Sequence, residues 1–246
     1  MTSLMTVLRS ALFNLYFFGL TFVLTLVGTV VRYVTPGHRL LVPVLWARLV
    51  LAGLRIICGI RIEISGREWL PTGGPALIAS LHQSAFDTLV WLSLLPRCCY
   101  VLKHELLRIP VLGPLIGSTE MIAVDRTAGA ASLRHLLREA DRAVREARQI
   151  VIFPEGTRGT PGHPLPLQPG VAAVAARTDL PVIPVVTDSG RCWGRRAFHK
   201  YAGVIHIEVR PPMPSGMPRA TLLRELELVF RSEIGQPHGI VDKFVD

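Results

Sequence analysis

Residues 80–87 read Ser80-Leu81-His82-Gln83-Ser84-Ala85-Phe86-Asp87. A β-prone apolar run, Ala76–Ser80, leads into His82, and an apolar helical pattern over Ser84–Leu94 follows at once. The octapeptide is therefore a strand-to-helix junction, which assigns the chain to the α/β class. In such folds the carboxyl end of a strand, where it meets a helix N-terminus, is the usual place for a site. His82 and Asp87 are five apart, beyond the i, i+4 register of one helix. A turn between strand and helix would still bring Asp87 against His82. A carboxylate on one imidazole nitrogen fixes the tautomer and leaves the other nitrogen free as a base. The plainer reading of the same spacing is a structural histidine beside a helix cap.

From Ile60 onward, short β-branched runs alternate with longer amphipathic ones. The pattern predicts strands at Ile60–Ile64, Ala76–Ser80, Cys99–Leu102, Met121–Val124, Ile150–Phe153, Val182–Thr187 and Val204–Val209. It predicts helices at Ser84–Leu94, Ala130–Arg148, Pro169–Thr178 and Arg219–Ile234. The helix at Ala130–Arg148 sets Leu133, Leu136, Leu137, Ala140, Val144 and Ala147 on one face. Its arginines are interleaved with Glu139, Asp141 and Glu146, which reads as a solvated face. The Pro/Gly-rich stretch Gly159–Pro169 reads as an irregular loop, and no internal repeat or low-complexity segment is present.

The chain before Ile60 is of another kind. Ser10–Val31 holds 22 residues without a charge, flanked by Arg9 on one side and Arg32 and Arg39 on the other. As a helix it would reach about 33 Å, comparable with the hydrocarbon core of a bilayer. The run is longer than a typical signal-peptide core and lacks a clear small-x-small cleavage site, so a membrane-associated helix is expected. A second apolar stretch, Leu40–Ile60, carries Arg48 and Arg55 seven residues apart, on one helical face from which they can snorkel toward headgroups. Pro36-Gly37 supplies the turn between the two. The expected organisation is a helical hairpin over 1–59, spanning or dipping into a membrane, and one α/β domain over 60–246.

Composition points the same way. The 246 residues are half hydrophobic and only 18% charged, with 27 Lys plus Arg against 18 Asp plus Glu, for a net charge of +9. Such hydrophobicity excludes intrinsic disorder. Nucleic-acid binders share the positive charge but rarely this much apolar surface, so no nucleic-acid partner is expected. Basic and apolar together suggest an anionic membrane surface. The four cysteines, Cys58, Cys98, Cys99 and Cys192, show no metal-ligand spacing and read as reduced thiols on a cytosol-facing protein.

Three further segments bear on the His82/Asp87 pair. Phe153-Pro154-Glu155-Gly156-Thr157-Arg158 follows a predicted strand. Gly156 permits close backbone approach to a ligand, Thr157 offers a hydroxyl and Arg158 a fork for phosphate. Glu155 would orient the loop or, on the plainer reading, pair with Arg158. The stretch Gly117–Arg126 ends a strand in Asp125-Arg126, where Arg126 would add a phosphate contact or pair with Asp125. Leu180–Val185 reads as a core strand with prolines at 181 and 184.

Taken in order, these four segments resemble the motifs of the glycerolipid acyltransferase family, and its bacterial lysophosphatidate-type members in particular. The family motifs run N-H-x-x-x-x-D, G-x-x-x-I-x-R, F-P-E-G-T-R and an apolar strand with proline. Here they correspond to His82…Asp87, Gly117…Arg126, Phe153–Arg158 and Val182–Val185. Lys103-His104-Glu105-Leu106 with Ile109-Pro110 and Gly113 is similar to the family's K-x-E-L connector. The likeness covers roughly residues 60–210. Leu81 stands where the family has asparagine, the second motif is longer, and Gly159 replaces a common serine. These departures bear on the acceptor more than on the reaction.

The resemblance implies a single acyltransferase domain with a central mixed sheet flanked by helices. It implies His82 as general base and Asp87 as its orienting partner. Lys103, Arg126, Glu155, Gly156, Thr157 and Arg158 would form the phosphate-binding region, and Val182, Ile183 and Pro184 an apolar acyl site. The acyl donor would be acyl-CoA or acyl-carrier protein, and the acceptor 1-acylglycerol-3-phosphate or another lysophospholipid such as lyso-ornithine lipid. No metal or cofactor is implied. The expected location is the cytoplasmic (inner) membrane, among its phospholipids, with the site facing the cytosol. The competing class is a non-catalytic lipid-binding membrane protein. A serine hydrolase built on Ser84 is disfavoured, since the chain has no G-x-S-x-G elbow there.

Overall fold

The computed structural model describes residues 3–35, 37, 40–109, 113, 116–117, 119, 121–163, 165–232 and 242–243. Expectations resting on Pro36, Arg39, Pro110, Ser118, Glu120 and Ile234 lie outside these residues.

One sheet organises the chain. Its strands are β1 (Ile60–Ser65), β2 (Ala76–Ser80), β3 (Cys98–Lys103), β4 (Ile122–Val124), β5 (Gln149–Ile152), β6 (Val182–Thr187), β7 (Gly203–Val209) and the two-residue β8 (Asp242–Lys243). They lie in the order β4-β3-β5-β2-β6-β7-β1-β8. The neighbours from β4 through β6 are parallel, β7 runs antiparallel to β6, and β1 returns parallel to β7. The expected mixed sheet is thus observed, with each predicted strand present to within a residue or two.

Period-two alternation deals side chains to two cores. Ile78, Val151, Ile183, Val185, Ile205 and Ile207 face one layer. Leu77, Ala79, Ile150, Ile152, Val182 and Val186 face the other. The first layer is covered by α1 (Leu4–Val34), α2 (Leu41–Gly53) and α3 (Phe86–Leu94), through Phe13, Ala47, Val50, Leu51, Phe86, Leu89 and Trp91. The second is covered by α4 (Gly129–Arg145), α5 (Gly170–Thr178) and α7 (Arg219–Arg231), through Leu136, Ala140, Val171, Val174, Leu222 and Leu226. The single-turn α6 (Ser189–Cys192) caps the end of β6. With both faces covered, the central strands read as continuous apolar runs, and every residue of β2 and β6 is buried.

The N-terminal helices form the expected pair. α2 ends in a π-helical turn, Leu54–Cys58, so the apolar stretch is helical almost to β1. Tyr16 donates its hydroxyl to Leu49 O (2.8 Å), and Trp46 donates its indole N–H to Thr21 Oγ1 (3.0 Å). One side of α1 docks on the domain: Phe13 is fully buried and meets Trp193 edge-on at 5.6 Å. The other side is apolar yet exposed, from Leu4 and Leu8 through Leu15, Phe18 and Phe22 to Val30 and Tyr33. On α2 and its π turn, Arg48 and Arg55 share an exposed face with Leu45 and Ile56, as their spacing predicts. α1, and α2 taken together with its π turn (Leu41–Cys58), are long and apolar enough to cross a membrane.

Candidate active site

Four parallel strands point their carboxyl ends at one cavity, and a fifth, β6, ends behind it. Leu81 and His82 follow β2, Phe153–Arg158 follows β5, Lys103 ends β3, Arg126 lies just past β4, and Asp188-Ser189 follows β6. This is where an open α/β sheet leaves a crevice, because the loops on either side diverge from neighbouring strands.

The His82–Asp87 turn closes on itself. Asp87 sits in the first turn of α3, and its Oδ2 accepts from the backbone N–H of Gln83 (2.7 Å) and Ser84 (2.8 Å). The same oxygen lies 3.1 Å from His82 Nδ1. Its Oδ1 accepts from the Ser189 hydroxyl at 2.6 Å. Three donors independent of the ring, the two turn amides and the Ser189 hydroxyl, converge on one buried carboxyl, which calls for an acceptor-only group, and a carboxylate there favours the tautomer with the hydrogen on His82 Nδ1. The basic lone pair is then on Nε2. The five-residue spacing is what lets a helix-capping carboxylate reach back to both the turn amides and the ring.

The Phe153–Arg158 loop grips His82 from the other side. Glu155 Oε2 accepts the His82 backbone N–H at 2.7 Å, and Gly159 N–H donates to His82 O at 2.7 Å. The ring stacks on Phe153 with centroids 4.2 Å apart, and Tyr100 stacks behind Phe153 at 6.0 Å. Tyr100 is itself fixed by its hydroxyl on Thr88 O (2.6 Å), one residue past Asp87. Gly156 adopts φ +71°, and a Cβ there would lie 3.0 Å from the Arg126 guanidinium. A Cβ at Gly159 would lie 2.7 Å from Glu155 Oε1, so a side chain there would have to displace the Glu155 carboxyl.

Glu155 does not pair with Arg158. It is buried against His82 N–H, and that burial pushes its carboxyl up to about 7, with the His82 amide opposing and the Asp87 charge reinforcing the rise. Arg158 remains without a carboxylate at ion-pair distance among the described residues. Burial holds its guanidinium below the ordinary value; Asp87 opposes that, and Arg195 and Arg196 add to it. Arg126 donates to Gly156 O, while Asp125 instead caps Thr127 through both the backbone N–H (2.9 Å) and the hydroxyl (2.6 Å).

The cavity holds about 390 Å³ and is lined by His82, Thr88, Tyr100–Lys103, Leu106, Arg126, Phe153, Gly156–Arg158, Arg195 and Arg196. His82, Lys103, Arg126, Gly156, Thr157 and Arg158 are therefore brought together as their motifs suggest. Asp87 and Glu155 stand behind the wall. Open space is not found at Val182, Ile183 and Pro184: β6 is hydrogen-bonded on both edges and covered on both faces, and none of the three lines the cavity. The apolar wall is made instead by Tyr100, Val101, Leu102, Leu106 and Phe153. Sequence reasoning also passed over Ser189, Tyr100, Arg195 and Arg196. The adjacent arginines after Trp193-Gly194 are a visible signal, whereas Ser189 lies 102 residues from the carboxylate it serves. Among the described residues, no group of three or more His, Cys, Asp or Glu side chains is placed to hold a metal ion.

Residues 61–188 match the family model described as Acyltransferase. The chain is 33% identical over 168 residues to the 1-acyl-sn-glycerol-3-phosphate acyltransferase of Pseudomonas aeruginosa, covering 68% of this chain and 65% of the relative. It is 30% identical over 172 residues to the human 1-acyl-sn-glycerol-3-phosphate acyltransferase alpha, covering 68% and 60%. The chain thus spans somewhat under two thirds of the length of these curated relatives. In fold it is similar to the crystal structure of the 1-acyl-sn-glycerophosphate (LPA) acyltransferase of Thermotoga maritima, with a TM-score of 0.73, 19% identity and coverage of 91% of this chain and 95% of that one.

Proposed function

This chain belongs to the acyltransferase family, and on that premise we propose that it moves a fatty acyl group from acyl-CoA or acyl-carrier protein to the free hydroxyl of 1-acylglycerol-3-phosphate, giving phosphatidic acid. The observation that carries this reading is the convergence, at one strand-end cavity, of an oriented histidine with Lys103, Arg126 and Arg158. A hydroxyl acceptor bearing a phosphate needs both features. Neither alone would serve.

His82 Nε2 takes the hydroxyl proton as the oxygen attacks the thioester carbonyl. The developing imidazolium is stabilised by Asp87, whose position the Gln83 and Ser84 amides and Ser189 hold. Collapse of the tetrahedral intermediate forms the ester, breaks the C–S bond and returns the proton from His82 to the departing thiolate. The substrate alcohol is the nucleophile, so no acyl-enzyme is required. Base catalysis of this kind contributes about 10²–10⁴-fold, and juxtaposing two bound substrates can supply more. Lys103, Arg126 and Arg158 bind the acceptor phosphate, Thr157 and Gly156 shape the loop that presents it, and Glu155 orients that loop from behind.

The exposed apolar side of α1 and the Arg48/Arg55 face of α2 support residence in the cytoplasmic (inner) membrane, with anionic phospholipids as neighbours. The donors are cytosolic, which favours a site on that side. The test uses purified protein in mixed micelles, with acyl-CoA and acyl-carrier protein as donors and lysophosphatidate or lyso-ornithine lipid as acceptors. Products are identified by mass. Phosphatidate as the preferred product supports the proposal; preferential acylation of lyso-ornithine lipid, or of neither acceptor, rejects it.

A further inference from the structure

Among the described residues, five cationic side chains line the cavity and no carboxylate does. A phosphomonoester carries a charge of about −1.5 to −2, and three of the cations, Lys103, Arg126 and Arg158, suffice for its three oxygens. Arg195 and Arg196 are left over. Neither has a carboxylate at ion-pair distance among the described residues, and both are exposed at the mouth of the cavity.

These two arginines are held in place at some cost. They occupy the centre of a turn closed by Ala197 N–H on Gly194 O (3.2 Å). Arg196 adopts φ +53°, a left-handed conformation that this turn position normally gives to glycine or asparagine. Arg195 Nη1 reaches the Arg158 carbonyl at 3.4 Å, so the turn abuts the phosphate loop. Before the turn, Trp193 N–H bonds to Ser189 O (2.9 Å), and Ser189 is the residue on Asp87. After it, Lys200 is tied to α1. Its backbone N–H donates to Ser10 Oγ (2.9 Å), its ammonium donates to Asn14 Oδ1 (2.5 Å) and Phe198 O (2.9 Å), and it sits 5.0 Å from the Trp193 ring centroid. The turn, anchored on both sides, thus fixes two guanidinium groups without a carboxylate partner among the described residues at the cavity mouth, one of them on a residue in the left-handed region.

We propose that Arg195 and Arg196 form a second phosphate subsite, which takes the phosphate or diphosphate of a phosphopantetheine-bearing acyl donor. The assignment rests on the acyl-transfer reading above. A ligand beside His82 is one of the two substrates, and the acceptor's phosphate already has its cations. The surplus pair therefore serves the donor. A phosphate there also relieves the mutual repulsion of Arg158, Arg195 and Arg196.

The test is steady-state kinetics of full-length Arg195→Gln/Arg196→Gln with three donors: palmitoyl-CoA, palmitoyl-carrier protein and S-palmitoyl-pantetheine, which lacks phosphate. Expected is a fall in kcat/KM for palmitoyl-CoA of about tenfold per guanidinium lost, with the lysophosphatidate KM and the rate with the pantetheine donor within about twofold of wild type. An equal fall with both phosphate-bearing donors assigns the subsite to the phosphate next to pantetheine; a fall with palmitoyl-CoA alone assigns it to the nucleotide end. A rise confined to the lysophosphatidate KM, an equal loss with the pantetheine donor, or no loss overturns the proposal. Arg196→Gly guards against misfolding, because it relieves the left-handed strain. It is expected to melt no lower than wild type and still to lose palmitoyl-CoA use; unchanged palmitoyl-CoA use would count against Arg196. Equilibrium binding of CoA itself, with no acceptor present, reads the subsite without turnover. A wild type that binds CoA through Arg195 and Arg196 but acylates neither acceptor would fail the acyl-transfer reading and not the subsite.

Discussion

His82 is held by its ring and by both of its backbone polar groups: Asp87 on Nδ1, Phe153 against the ring face, Glu155 on the N–H and Gly159 on the carbonyl. Asp87→Asn is the sharpest probe of the first contact. An amide can donate as well as accept, so it can force the wrong imidazole tautomer while keeping shape. Expected is a fall in kcat of about 10²–10⁴-fold, little change in KM and a lowered melting temperature, because the amide NH₂ meets one of the donors that the carboxylate accepts. Glu155 makes a pH prediction. Its folded-state value near 7 lies above the ordinary 4.5, so the folded state favours the protonated acid. Its contribution to stability is full below about 4.5 and is lost as pH rises through about 7. Glu155→Gln keeps an acceptor for the His82 amide without ionising. Relative to wild type it should gain stability between pH 5 and 8, by about 3 kcal/mol at most. Parallel denaturation curves of the two proteins across that range would count against a buried, neutral-leaning Glu155. At this scale, residues within one motif were legible, because a turn brings near neighbours together. Ser189 was not, since only the sheet order places the end of β6 beside the end of β2.

Single elements carry what the motifs leave out. β6 resembles the family's fourth motif, yet its residues are packed in the sheet, and its influence passes through its end. Thr187 Oγ1 accepts the Ser189 backbone N–H (3.2 Å), and Ser189 then positions Asp87. Ser189→Ala should lower kcat about three- to tenfold, in keeping with loss of one hydrogen bond to a charged group, with both KM values held. Ser189→Thr, which restores a hydroxyl, should recover most of the rate; failure to recover would assign the residue to packing alone. Lys200 is a comparable joint between α1 and the chain after α6. Lys200→Ala should reduce thermal stability by about 2–3 kcal/mol, through loss of hydrogen bonds to a charged donor. Near-neutral stability would mean that α1 is held by its aromatic contacts instead. The strands were legible to within one or two residues because alternation and apolar runs mark them on both sides of a buried sheet. α6, at one turn, has too few residues to show a period, and the Arg195–Arg196 turn uses a residue that turn chemistry does not favour.

At the scale of the molecule, the sheet gathers five strand ends at one edge while α1 keeps a long apolar side uncovered. That side would be a liability in water. It accounts for much of the hydrophobic composition, as the cavity accounts for several of the surplus positive charges. Phe18→Asp/Phe22→Asp should weaken co-sedimentation with phosphatidylglycerol vesicles by about tenfold or more, given about 1.5–3 kcal/mol for each buried phenylalanine, and leave turnover of a micellar substrate near wild type. Undiminished co-sedimentation would move the membrane contact elsewhere. The alternation of elements and the apolar hairpin made the architecture readable, but the cavity wall was not, because it is assembled from the ends of four strands, the start of α3 and the turn after α6, which are distant in sequence. The central claim is that His82 is the base for acyl transfer to a lysophospholipid hydroxyl. Its most direct test is the single-turnover rate of radiolabelled acyl transfer from acyl-CoA to lysophosphatidate by the His82→Ala protein, alongside its thermal melt. The account predicts a protein that still folds and melts cooperatively, with transfer reduced at least about 10²–10⁴-fold; transfer at the wild-type rate would contradict it.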